Sequence, residues 1–137
     1  MIALLGESQV DQLLIVDGMT GEVMADPSFS EPHKWSGGLH IREDGQLVGV
    51  KEQGGTASLM LIDQLTAQVS LIAEYPGTLP VFGTAVYDGL TNTIFVVSAN
   101  FELLQLEATS GQLLTSPKLS KPNPVTDFNW WGGLYIR

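Results

Sequence analysis

The 137-residue sequence contains no cysteine. Disulfides and thiolate metal sites are therefore excluded, while the compartment stays open. Basic residues are scarce: six Lys and Arg stand against fifteen Asp and Glu, for a net charge of −9. A nucleic-acid surface needs clustered cations to displace counterions from phosphate, and these six are scattered. An anionic membrane surface is disfavoured for the same reason. No apolar run approaches the roughly 18–20 residues of a membrane span. Met1-Ile2-Ala3-Leu4-Leu5-Gly6 lacks the basic flank and the length of a secretion signal, so the expected location is cytoplasmic by default. Histidine is limited to His33 and His40. No His/Asp/Glu cluster has metal-ligand spacing, and no nucleophile elbow or phosphate-binding glycine loop is present. No cofactor is expected. No stretch sustains a 3.6-residue apolar period between helix caps, which argues against helices.

What remains is strand and turn material. The chain holds 15 Gly and 7 Pro, with 44% apolar and 15% charged residues, a composition that folds and suits many short strands. Short apolar runs alternate with Gly, Asp-Gly and Thr-Gly turns along the whole chain. Proline-rich loops are expected over 26–34, 76–82 and 116–129. The fold class is all-β.

One turn recurs. Asp17-Gly18-Met19-Thr20-Gly21, Asp63-Gln64-Leu65-Thr66-Ala67 and Glu107-Ala108-Thr109-Ser110-Gly111 share the pattern acid-x-x-Thr/Ser-Gly/Ala between two apolar strands. They recur at intervals of roughly 45 residues, and the circle closes through the chain ends at the same interval, the length of a four-stranded β-propeller blade. The residues Asp17, Thr20, Asp63, Thr66, Glu107 and Ser110 read as structural: an acid heading a tight turn accepts backbone N–H groups, and the hydroxyl supports it. A second echo joins Trp35-Ser36-Gly37-Gly38-Leu39-His40-Ile41-Arg42 to Trp130-Trp131-Gly132-Gly133-Leu134-Tyr135-Ile136-Arg137. In the cyclic register both are innermost strands. The expected division is one split blade (1–34 plus 130–137), a second over 35–80 and a third over 81–129. Propellers run from about four blades upward, so three cannot close alone. Two chains give six, and the sequence predicts a homodimer in which each split blade takes strands from both chains.

At its acid-x-x-Thr-Gly turns the chain resembles the quinoprotein-like and YVTN/NHL-type propeller repeats. Asp17, Thr20 and Gly21 fit the quinoprotein pattern, whereas Ala25 stands where those repeats carry Trp. The resemblance implies the propeller fold and not a quinone cofactor; fold does not carry function with it.

In an up-and-down blade, the loops entering the innermost strands share one face with the turns between the second and third strands. That face gathers His33, Lys34, Trp35, Phe82, Asn100, Phe101, Asp127, Phe128, Asn129, Trp130 and Trp131. The candidate ligand-binding residues are Trp131, Trp130, Trp35, His33, Asn129 and Phe101, as an aromatic-lined pocket for a sugar or another small molecule. Trp35 and Trp130 align with each other and also fit as plugs between blades. Trp131 aligns with Ser36 and is not required by the repeat. The leading functional reading is a non-catalytic ligand-binding or protein-interaction module. The alternative is a metal-assisted hydrolase or lyase of lactone or glycoside type, with Asp11, Glu52 and Asp127 pairing across the ring, where Ca²⁺ would bind.

Overall fold

A computed structural model describes residues 2–5, 10–78, 80–120 and 136, and the statements below concern these residues. They form strands β1 (Ile2–Leu5), β2 (Val10–Val16), β3 (Val23–Ala25), β4 (Ser28–Ile41), β5 (Leu47–Gln53), β6 (Thr56–Ile62), β7 (Val69–Tyr75), β8 (Pro80–Asp88), β9 (Thr93–Ser98), β10 (Leu103–Glu107) and β11 (Leu113–Thr115), with no helix among the described residues. The fold is all-β, and every strand pair is antiparallel.

The strands fall into three layers. The first holds β1, β2 and β3 with the beginning of β4; the second runs from the rest of β4 through β5 and β6 to β7; the third runs from β8 through β9 and β10 to β11. β4 serves two layers. Its early residues pair with β2, as Ser28 with Gln12 and His33 with Val10, and its later residues pair with β5, as Lys34 with Glu52 and Ile41 with Leu47. A bulge separates Ser36 from Leu39 in that second ladder, where Gly37 and Gly38 both adopt positive φ, +78° and +88°.

The stretch 26–34 is therefore largely strand, not the loop its Pro and Ser content predicts. Phe29 and His33 are buried, and packing against β2 overrides the local composition. Pro32 lies where the register shifts between Ser28 and His33, so its missing N–H breaks no regular ladder. β8 likewise starts at Pro80, inside the expected 76–82 loop, with the proline at the first strand position that tolerates it.

Two apolar interfaces hold the layers face to face. Leu13 and Phe29, with half-buried Ile2 and Ile15, meet Trp35, Leu47, Ile62 and Ala67 between layers one and two. Val48, Val50, Leu59 and Tyr75 meet Ala85, Ile94, Val96, Leu104 and Leu106 between layers two and three. The middle layer is thus covered on both sides. This explains why Leu47, Val48, Gly49 and Val50 are consecutively buried although their side chains alternate in direction. The innermost strands come closest: a Cβ built on Gly37 would lie 2.3 Å from the Ala85 carbonyl oxygen, so only glycine allows this approach.

Candidate functional site

The recurring turns share one hydrogen-bond pattern. The Asp17 carboxylate accepts the N–H groups of Met19 and Thr20, each at 2.8 Å. Asp63 accepts those of Leu65 (2.9 Å) and Thr66 (2.8 Å) together with the Thr66 hydroxyl (2.9 Å). Glu107 accepts the N–H of Thr109 (3.2 Å) and both the N–H and hydroxyl of Ser110 (2.6 Å each). In each case the turn closes from residue five back to the acid's carbonyl, as Gly21 to Asp17, Ala67 to Asp63 and Gly111 to Glu107. Donors aimed at a carboxylate favour its charged form. The Asp17 and Asp63 carboxyls are held below their ordinary value by these backbone bonds, and Glu107 is lowered to about 2, first by the Ser110 hydroxyl and N–H. These acids are occupied in holding turns.

On the opposite end of the layers lies a pocket of about 260 Å³, lined by Glu31, Pro32, Lys34, Lys51, Glu52, Gln53 and Gly54. The β4–β5 ladder places Lys34 opposite Glu52 and Trp35 opposite Lys51. The two-residue turn Gly54-Gly55, with φ of +58° and +81°, joins β5 to β6 at the rim and matches the primed turns of tight hairpins. Lys34 Nζ lies 3.6 Å from Glu52 Oε2, and Lys51 Nζ 3.3 Å from Glu31 Oε1. Glu52 also accepts the Gly55 N–H at 3.4 Å. Lys51 is 8% exposed, an uncommon depth for a lysine. Its partner Glu31 remains largely solvent-exposed. Two carboxylates and two ammonium groups thus alternate around a small opening.

Beneath it, between layers one and two, Phe29, His33 and Trp35 form a ring cluster with centroid separations of 5.1 Å (Phe29–His33), 5.4 Å (His33–Trp35) and 5.8 Å (Phe29–Trp35). His33 is 3% and Trp35 4% exposed, so both rings point inward and fill the gap between layers. Among the described residues, neither ring nitrogen of His33 nor the Trp35 indole N–H has a hydrogen-bond partner. Burial, and then the nearby Lys51 ammonium, push the His33 imidazole below its ordinary value, with Glu31 opposing. His40 is similarly lowered by burial. Its Nε2 has no partner among the described residues, while the Ala85 backbone carbonyl accepts a hydrogen bond from the ring.

Of the other candidates read from the sequence, Phe101 lies in the β9–β10 turn with φ of +59°, its N–H donating to the Ser98 carbonyl at 3.0 Å and its carbonyl accepting from Leu119. Asp11 is exposed on β2. Asp127, Asn129, Trp130 and Trp131 lie outside the described residues. No group of three or more His, Asp or Glu is placed to hold a metal among the described residues. Sequence reasoning missed Lys51 and Glu31; the available signal was a lysine directly following the apolar run Leu47-Val48-Gly49-Val50. It also missed Arg42, 8% exposed, whose Nη1 donates to the Ala108 carbonyl of layer three at 2.8 Å while Asp44 holds the rest of the guanidinium. The signal there was an arginine ending both copies of the Trp-x-Gly-Gly echo.

No family profile matches the sequence, and no curated protein matches it. Among solved structures, the chain is similar to BamB from Moraxella catarrhalis, a β-propeller-type protein, with a TM-score of 0.51 at 17% sequence identity. The match covers 90% of this chain and 36% of that one. The chain therefore spans about a third of that structure's length and shares its general fold.

Proposed function

We propose that this chain is a non-catalytic binding module, a three-blade portion of a β-propeller that closes as a six-bladed ring from two chains and receives a small polar ligand at the Glu31–Lys34–Lys51–Glu52 pocket. The observation that carries the binding role is the charge pattern of that pocket. Surface ion pairs contribute little to stability, yet here Lys51 is drawn into the protein edge and stays paired with a largely exposed acid. A lysine so placed keeps donors available to an incoming carboxylate, while Glu31 and Glu52 stand ready for an ammonium. The alternation suits a small molecule carrying both charges, of amino-acid size; a sugar would use the same groups through its hydroxyls. Propeller-type folds host many unrelated functions, so the reading rests on this pocket and not on the likeness to BamB.

The test is a thermal-shift screen of free amino acids and of mono- and disaccharides against the unaltered chain and Lys51→Met. A ligand at about 100 times its Kd stabilises by about 2.7 kcal/mol, several degrees for a domain of this size. The expected result is a shift with a zwitterion or a sugar that disappears in Lys51→Met. A shift that survives the substitution, or none with any compound, contradicts the proposal.

A further inference from the structure

Layers two and three each possess an innermost strand: the later part of β4 pairs with β5, and β8 pairs with β9. Layer one differs. β1 pairs with β2, and no described strand pairs with its other edge. The registers show that β1 is the counterpart of β5. Aligning the Asp17 and Asp63 turns superimposes the pairs Ile2–Ile15 and Ala3–Leu14 on Val48–Leu61 and Gly49–Met60. An edge with no partner strand among the described residues is a template for one more strand.

The echo of Trp35–Arg42 at 130–137 carries what such a strand needs. In the first copy, Gly37 permits close approach to Ala85, and Leu39 covers Gly49, where a Cβ would lie 2.4 Å from its Cδ2. Arg42 ties the strand to the Ala108 carbonyl in the next layer. Each feature has a counterpart in the second copy. Gly132 matches Gly37, Leu134 matches Leu39 with Ala3 in the register place of Gly49, and Arg137 matches Arg42. The position equivalent to Ala108 in the Asp63 turn is Gln64, and no described hydrogen bond reaches its carbonyl.

We propose that the open edge of β1 and the Gln64 carbonyl form a docking site for residues 133–137 of a second copy of this chain, paired antiparallel with Leu134 opposite Ala3 and Arg137 donating to Gln64. The second copy follows from the path of the chain. Each passage from an outer strand to the next innermost strand advances one layer, through β4 from layer one to two and from β7 to β8 from layer two to three. A further step of the same kind from β11 would fall beyond layer three, whereas layer one lies across the middle layer from it. The inference rests on the two-chain reading and specifies its contacts.

The absence of native cysteine makes the test clean. The full chain carrying Ala3→Cys and Leu134→Cys is oxidised and run without reductant, and its free thiols are counted. A disulfide-linked dimer is expected, absent from either single variant. An intrachain disulfide, or thiols that stay free, overturns the docking site. Light scattering on the unaltered chain separates the two levels: a dimer whose engineered thiols stay free overturns this site alone, and a monomer overturns the two-chain reading as well. Independently, Arg137→Ala should weaken dimerisation about a hundredfold, the loss of one charged hydrogen bond at each of the two symmetric sites, with Arg137→Lys in between. Unchanged dimerisation in Arg137→Ala overturns the Gln64 contact.

Discussion

At the residue scale, the protein holds two kinds of ionisable group whose folded and unfolded forms bind protons differently. His33 is buried, with no partner for either ring nitrogen among the described residues, and burial lowers its proton affinity; His40 is lowered as well. In the unfolded chain both take up a proton near pH 6.5, which the folded state resists, so stability present above that pH falls as the medium is acidified. The second window belongs to the turn acids. Glu107 moves from its ordinary 4.5 to about 2 in the fold, so its contribution is intact above about pH 4.5 and is lost as pH falls toward 2. A thermal-melting series from pH 8 to pH 2 should therefore show two descending limbs. His33→Leu should flatten the upper limb and raise stability at neutral pH by about 1–3 kcal/mol, the cost of a buried unsatisfied polar group; Glu107→Gln should flatten the lower limb. An upper limb unchanged in His33→Leu contradicts the role assigned to burial.

At the element scale, the acid-x-x-Thr/Ser-Gly/Ala turn is one structure used three times, but its fifth residue meets different surroundings. Gly21, Ala67 and Gly111 all have positive φ, +74°, +55° and +73°. A Cβ on Gly21 would meet nothing within 4 Å, whereas one on Gly111 would lie 2.4 Å from the Ala73 Cβ. The Tyr75 hydroxyl also donates to the Gly111 carbonyl at 2.6 Å, tying layer two to this turn. Gly21→Ala should cost only the left-handed backbone penalty, about 1 kcal/mol. Gly111→Ala should add an overpacking cost of about 1–3 kcal/mol. Urea unfolding of the two variants reads the difference, and equal losses contradict it. The turns were legible in the sequence because their bonds join residues two to four apart. The first half of β4 was not, because burial of Phe29 and His33 depends on β2 and on the neighbouring layer, while the Pro and Ser composition alone indicates a loop. The pocket was half legible. Lys34 and Glu52 fall on the face that the repeat singles out, but the Lys51–Glu31 pair forms only once the β4–β5 ladder fixes which side each residue takes.

At the scale of the whole molecule, the three layers stack through two apolar interfaces, and the middle one is covered on both sides. The outward faces of the first and third layers meet no further layer among the described residues, and the first lacks an innermost strand there. The likeness to BamB, over 36% of that chain, fits a portion of a larger ring. An edge without a partner strand favours association, and that of β1 has none among the described residues. In the proposed dimer a second copy supplies the missing layers and exchanges its innermost strand. The most direct test is the mass of the full chain in solution by light scattering across a dilution series. The dimer requires a single species of twice the 14.8 kDa chain mass, and a well-behaved species at the single-chain mass would contradict it.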